Sequence, residues 1–183
     1  HGYAKGFELF WRDKKTIKNF DYWISYSYLD TKRDFLNYPA EIQPSFAAKH
    51  TANLVLKKFV SKLKTQFNAN YVFATGRPYY NIRYDYSNNK FNIYDQGKTI
   101  PYNSLSFSVN YLPNVFKQGA TKFNVFVLSI TNVLGTKQVF GYNYSYNGLH
   151  KEAIIPPTKT FIYLGAFFSF GVDRTQDVIN NNL

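Results

Sequence analysis

Polar and apolar residues alternate at every other position through 18–75 and again through 102–170, in long runs. In LKTQFNANYVFAT, Leu63, Thr65, Phe67, Ala69, Tyr71 and Phe73 fall on one side, and Lys64, Gln66, Asn68 and Asn70 on the other. Successive side chains of a strand point to opposite faces, so a period of two makes one face apolar and the other wet. Strands of soluble domains mostly run about 5–6 residues, whereas a tilted strand that crosses a bilayer needs about 9–11. Long two-faced strands in a chain with 17 Tyr and 18 Phe predict an all-β fold: an antiparallel up-and-down transmembrane β-barrel segment, with lipid outside and water inside.

The pattern marks seven strands, over 4–13, 18–30, 49–59, 63–75, 102–112, 121–132 and 158–170. In the second, Phe20, Tyr22, Ile24, Tyr26 and Tyr28 oppose Asp21, Ser25 and Ser27. In the fifth, Leu105, Phe107, Val109 and Tyr111 oppose Ser104, Ser106, Ser108 and Asn110. The sixth is apolar on both faces, so its orientation stays open. The connections alternate in length: 14–17, 60–62 and 113–120 are short, whereas 31–48, 76–101 and 133–157 are long. Outer-membrane barrels have short periplasmic turns and long extracellular loops. The three long connections are therefore expected outside, and 171–183 is expected as a C-terminal periplasmic tail after a 1–170 unit of strands and loops. Bacterial single-chain barrels have even strand numbers, so seven predicts an arc of a larger barrel or one strand unseen. His1 in place of Met is read as the start of a processed or partial chain.

Composition narrows the chemistry. Without Cys there is neither a disulfide framework nor a thiolate metal site. No apolar run is long enough for a transmembrane helix. The net charge of +11 comes with short clusters at Lys14-Lys15, Lys57-Lys58 and Lys62–Lys64, all at strand ends. That distribution predicts a basic rim against anionic head groups, not a nucleic-acid surface. His1, His50 and His150 are scattered, and no G-x-S-x-G, H-E-x-x-H or G-x-G-x-x-G occurs. Glu8 and Asp21 read as lumen carboxylates. No metal, cofactor, catalytic residue or enzyme activity is expected.

The lipid face is assigned to Phe67, Tyr71, Phe73, Leu105, Phe107, Val109, Leu164 and Phe168, and the lumen face to Lys64, Gln66, Asn68, Asn70, Ser106 and Ser108. Ligand contacts are expected from Arg77, Tyr79, Tyr80, Arg83, Tyr84 and Tyr86 in the second long connection, and from Tyr142, Tyr144, Tyr146 and His150 in the third. Aromatic faces suit sugars or planar chelates, and guanidinium suits anions. The same tyrosines also suit an interfacial girdle at head-group level.

Seven segments, in order, resemble the C-terminal end of a TonB-dependent outer-membrane receptor of the Bacteroidota type. They are GFELFWRDK (6–14), YWISYSYLDTK (22–32), Pro44 with KHTANLVLKK (49–58), ATGRPYYN (74–81), YNSLSFSVNYL (102–112), SITNVLGTKQVFGYNYS (129–145) and the closing PPTKTFIYLGAFFSF (156–170). The resemblance departs from the usual pattern in the residues after Phe170. It implies the last arc of a plugged barrel of about 22 strands in the cell outer membrane. It further implies import of an iron chelate, cobalamin, an oligosaccharide or a peptide. The partners it implies are outer-membrane lipid, the rest of the barrel and its plug, the TonB system through an N-terminal part, and a surface lipoprotein. Two alternatives stand beside it: a complete small barrel or porin of about eight strands, and a soluble secreted carbohydrate-binding β-sandwich.

Overall fold

Each of the seven alternating runs forms one strand of a single antiparallel sheet in the computed structural model, which describes residues 1–35, 37–117 and 122–171. In chain order the strands are β1 (Gly2–Asp13), β2 (Phe20–Arg33), β3 (His50–Val60), β4 (Thr65–Ala74), β5 (Pro78–Asp85), β6 (Lys90–Lys98), β7 (Tyr102–Tyr111), β8 (Lys122–Thr131), β9 (Gly141–Tyr144), β10 (Lys151–Ile154) and β11 (Phe161–Phe170). The large sheet runs β1-β2-β3-β4-β7-β8-β11, so every strand pairs with its predecessor among the seven. Its outermost strands, β1 and β11, each have one unpaired edge. Residues 172–183 of the expected tail lie outside the described residues.

The long connections depart from the expected loops. The span 76–101 holds the hairpin β5–β6, whose register slips between Asn81 and Ile82. The span 133–157 holds the short hairpin β9–β10. All three long connections leave the same end of the sheet, and the short turns close the other. In the first short turn the Asp13 carboxylate accepts the backbone N–H groups of Lys15 and Thr16 at 2.7 and 3.1 Å. Side chains of this kind satisfy turn backbone that has left the ladder. In the second turn Lys64 takes a left-handed φ of 51° after a short 3₁₀ segment, Ser61–Leu63. Lys64 is therefore a turn residue, and its Nζ donates to the Pro113 carbonyl oxygen. It does not continue the polar face of β4.

Register fixes the faces. Phe67, Ala69 and Tyr71 lie opposite Val109, Phe107 and Leu105. Phe107 and Val109 then face Ile130 and Leu128, and Leu128 faces Leu164. The eight residues assigned to the lipid side thus share one face, and β8 is oriented with Phe126, Leu128 and Ile130 on it. On the reverse face Lys57, Asn68, Ser108 and Ser129 form one row, and Val55, Asn70 and Ser106 another.

Burial is inverted relative to a soluble domain. Phe107 is 46% exposed and Leu164 75%, whereas Gln66 and Ser104 on the polar face are 7% and 6% exposed. Among the described residues, buried apolar side chains cluster at Phe59, Leu112 and Val115, with Phe123 and Val125 against them, at the short-turn end.

Candidate functional site

The second and third long connections are clasped together by one partly exposed polar knot. Asp95 on β6 accepts a hydrogen bond from the Tyr144 hydroxyl at 2.7 Å and from Lys151 Nζ at 2.9 Å. Lys151 also donates to the Tyr79 hydroxyl at 3.1 Å. Its ammonium lies over the rings of Tyr79 and Tyr142 at 4.6 and 5.0 Å, and those two rings meet edge to face with centroids 4.5 Å apart. Farther out, Arg83 Nη1 donates to the Asn147 carbonyl oxygen at 2.7 Å. A Cβ on Gly148, which has φ +67°, would overlap that guanidinium. Charge-assisted bonds to an ammonium and a carboxylate are the stronger kind, and the ring faces add cation–π attraction.

The knot sets the titration of its members. The hydrogen bond from Tyr144, then the one from Lys151, holds the Asp95 carboxyl below the ordinary carboxylate range. Burial, then the bond to Asp95, pushes the Tyr144 hydroxyl up to about 12. A lowered carboxyl pKa stabilises the clasp above about pH 4 and loses that contribution as pH falls through the lowered value. A raised tyrosine pKa stabilises it below about pH 10, and that contribution is lost as pH rises through about 12. The hairpins are therefore expected to stay docked between these limits. Tryptic cleavage after Arg83 and Lys90 should accelerate several-fold in Asp95→Asn at neutral pH. Cleavage equal to the wild-type rate would show that the knot does not hold the hairpins.

The residues expected to contact ligand divide into groups. Tyr79, Tyr142, Tyr144 and Arg83 serve the clasp. Tyr84 packs edge to face on Tyr86 and Phe91 at the tip of β5–β6, and Tyr86 is 85% exposed. Tyr146 and His150 sit in the exposed β9–β10 turn, where the His150 backbone N–H donates to Ser145 Oγ. Arg77 and Tyr80 lie elsewhere, at the root of β5. With Tyr79 and Tyr142 they line a cavity of about 340 Å³, to which Ser45, Phe46, Pro78, Phe140, Gly141 and Ile154 also contribute.

The cavity is placed by backbone constraints. Gly76 runs so close to the Thr99 carbonyl that a Cβ there would collide with it. The Arg77 N–H donates to Thr99 Oγ1, and Thr99 N–H returns to the Arg77 carbonyl. This crossing closes the hairpin root and holds Arg77 at the rim. Phe46 arrives from the first long connection, where the Arg33 guanidinium lies over its ring at 5.3 Å and over Phe35 at 4.4 Å. Burial raises the pKa of the Tyr80 hydroxyl. The ion pairs among the described residues are Lys5–Asp30, Arg12–Asp21 and Lys151–Asp95, and Arg77 is in none of them. A ring-walled cavity with an uncommitted guanidinium can hold a flat apolar or sugar ring that carries an anionic group.

Phe46, Phe140, Asp95 and Lys151 were not among the residues expected from the sequence. Asp95 and Lys151 are separated by more than fifty residues, and neither sits in a motif.

On the sheet, Asn68 Nδ2 donates to Ser108 Oγ at 2.9 Å. The Oδ1 atoms of Asn53, Asn68 and Asn70 are buried and have no hydrogen-bond partner among the described residues. Buried amide oxygens are normally satisfied by protein or water, so this face calls for a polar covering. No family model and no curated protein matches the chain.

Proposed function

We propose that this chain is the C-terminal arc of the wall of a TonB-dependent outer-membrane receptor. The carrying observation is the inverted sheet: seven strands of 10–14 residues with a largely exposed apolar face and a half-buried polar one. In water, such a continuous apolar face is a liability; against hydrocarbon it is the required outer surface of a barrel. The polar face, with its unsatisfied amide oxygens, then lines a lumen filled by water or a plug. The edges of β1 and β11 require further strands, because a spanning sheet tolerates no open edge. Each edge strand also carries an exposed aromatic on its second face: Phe10 is 65% exposed and Phe167 56%. The outer hairpins capture ligand at the Arg77 cavity, and plug movement driven through TonB belongs to the rest of the receptor.

A soluble β-sandwich would need a second sheet across the apolar face. The two other sheets among the described residues are the two-stranded hairpins of the long connections.

The deciding experiment is the intact mass of the protein extracted from native outer membranes. A mass several times 21.4 kDa, with heat-modifiable migration, is the expected result. A folded species near 21.4 kDa would replace the receptor arc with a stand-alone small barrel. Recovery of folded, monomeric protein without detergent would remove the membrane reading altogether.

A further inference from the structure

The ends of the sheet differ sharply in charge. At the short-turn end the first turn carries Lys14, Lys15 and Lys18. The second is flanked by Lys57, Lys58, Lys62 and Lys64, and the third by Lys117 and Lys122. Strand direction brings all of these to one rim, because β1, β3 and β7 end there and β2, β4 and β8 begin there. The carboxylates at this rim, among the described residues, are Asp13 and Asp21. Asp21 is already committed to Arg12 through bonds of 2.6 and 2.8 Å. None of these lysines is in an ion pair among the described residues. The long-connection end, by contrast, mixes its Lys and Arg with Asp34, Glu41, Asp85, Asp95 and Glu152.

We infer that this rim is a binding surface for anionic phospholipid head groups in the leaflet at the short-turn end. The inference rests on the membrane reading above and adds to it a lipid class and a leaflet. The rim is amphipathic in the sense a bilayer interface demands. Ile17 and Leu63 stand exposed at the turn tips between lysines, at 47% and 57%. On the apolar face Lys58 lies over the Phe20 ring at 5.8 Å and Lys122 over Phe170 at 6.0 Å. A lysine whose stem follows an aromatic ring and whose ammonium extends beyond it is placed to meet phosphate while the ring stays at the acyl boundary. A soluble acidic partner would use the charge but has no need of the exposed Ile17 and Leu63. Basic residues near a bilayer surface concentrate anionic lipid, with the attraction confined to about one Debye length.

The test uses the complete receptor that contains this chain, in bilayers of equimolar phosphatidylcholine and phosphatidylglycerol. Spin-labelled lipids report which species is motionally restricted at the protein surface. The wild type is expected to select phosphatidylglycerol by about fivefold at low salt, and raised salt should weaken the selection. The triple substitution Lys14→Gln, Lys15→Gln, Lys18→Gln lies in a turn outside the strands and should lower the selection at least twofold. Lys90→Gln with Lys137→Gln, at the opposite end, should leave it unchanged.

Selectivity near one in the wild type, or equal in the two variants, overturns the inference while leaving the membrane reading intact. Failure of the receptor to enter bilayers overturns both. Unchanged lipid selectivity with salt-sensitive binding of polyglutamate, lost in the triple variant, overturns it in favour of an acidic macromolecule.

Discussion

Phe107→Arg is expected to destabilise the folded protein by about 2–4 kcal/mol in a bilayer or micelle. Phe107 sits midway along β7, on the apolar face, opposite Ala69 and Ile130, and nearly half its surface is exposed. Exposure to lipid and exposure to water make opposite demands at this position. Against hydrocarbon a guanidinium must be desolvated or must drag water and head groups inward. Against water the same change is a surface substitution worth about 0.5 kcal/mol or less in either direction. Asn68→Leu is the matched control on the reverse face. It removes the bond to Ser108 Oγ, a loss of about 0.5–1.5 kcal/mol, and should leave assembly nearly normal. Urea titration of the heat-modifiable band measures both. Equal effects would sink the assignment of faces, and a negligible effect of Phe107→Arg would return the sheet to water.

What was legible in the sequence follows from how each piece of structure is encoded. The faces of β4 and β7 were readable because Cβ direction alternates with the backbone itself. Phe67 and Tyr71 against Asn68 and Asn70 needs no tertiary information. β8 was not readable, since Val125 and Val127 are as apolar as Phe126 and Leu128; only pairing of Phe107 with Ile130 orients it. β5–β6 was hidden for a different reason. Its register shift between Asn81 and Ile82 breaks the parity in mid-strand, and Gly76, Pro78, Asn88, Asn89 and Gly97 imitate loop chemistry. β9 and β10 have four residues each, too few for a period to stand out. The ligand-contact set mixed two populations, because composition marks tyrosines as sticky without saying whether they grip a ligand or each other. Tyr79 and Tyr142 grip each other, and the cavity beside them needed Phe46 and Phe140 from distant segments.

Asn132→Leu is expected to cost about 3–5 kcal/mol. Asn132 directly follows β8 with φ 49° and is 2% exposed. Its Nδ2 donates to the carbonyl oxygens of Thr136 and Lys159 at 2.9 and 2.8 Å, and its Oδ1 accepts from Thr136 Oγ1 at 2.8 Å. The backbone takes part as well: Asn132 N–H donates to Ser106 Oγ, and its carbonyl accepts from Thr160 Oγ1. Backbone and side chain together, this one residue therefore ties β7, the exit of β8 and the approach to β11. Leucine removes all three side-chain hydrogen bonds, each worth about 0.5–1.5 kcal/mol. It also occupies a left-handed backbone that costs a branched side chain roughly 1–2 kcal/mol. Asn132→Gly separates the two contributions, since glycine accepts the φ but supplies no carboxamide, and should recover only the backbone part. The damage should also travel. The third long connection hangs from this hub and carries Lys151 to Asp95, so Asn132→Gly should speed tryptic cleavage after Arg83 as Asp95→Asn does. A glycine variant as stable as the wild type would mean that the carboxamide bonds do not hold the connection. A destabilised variant with the β5–β6 hairpin still protected would mean that the clasp docks without help from the sheet beneath it.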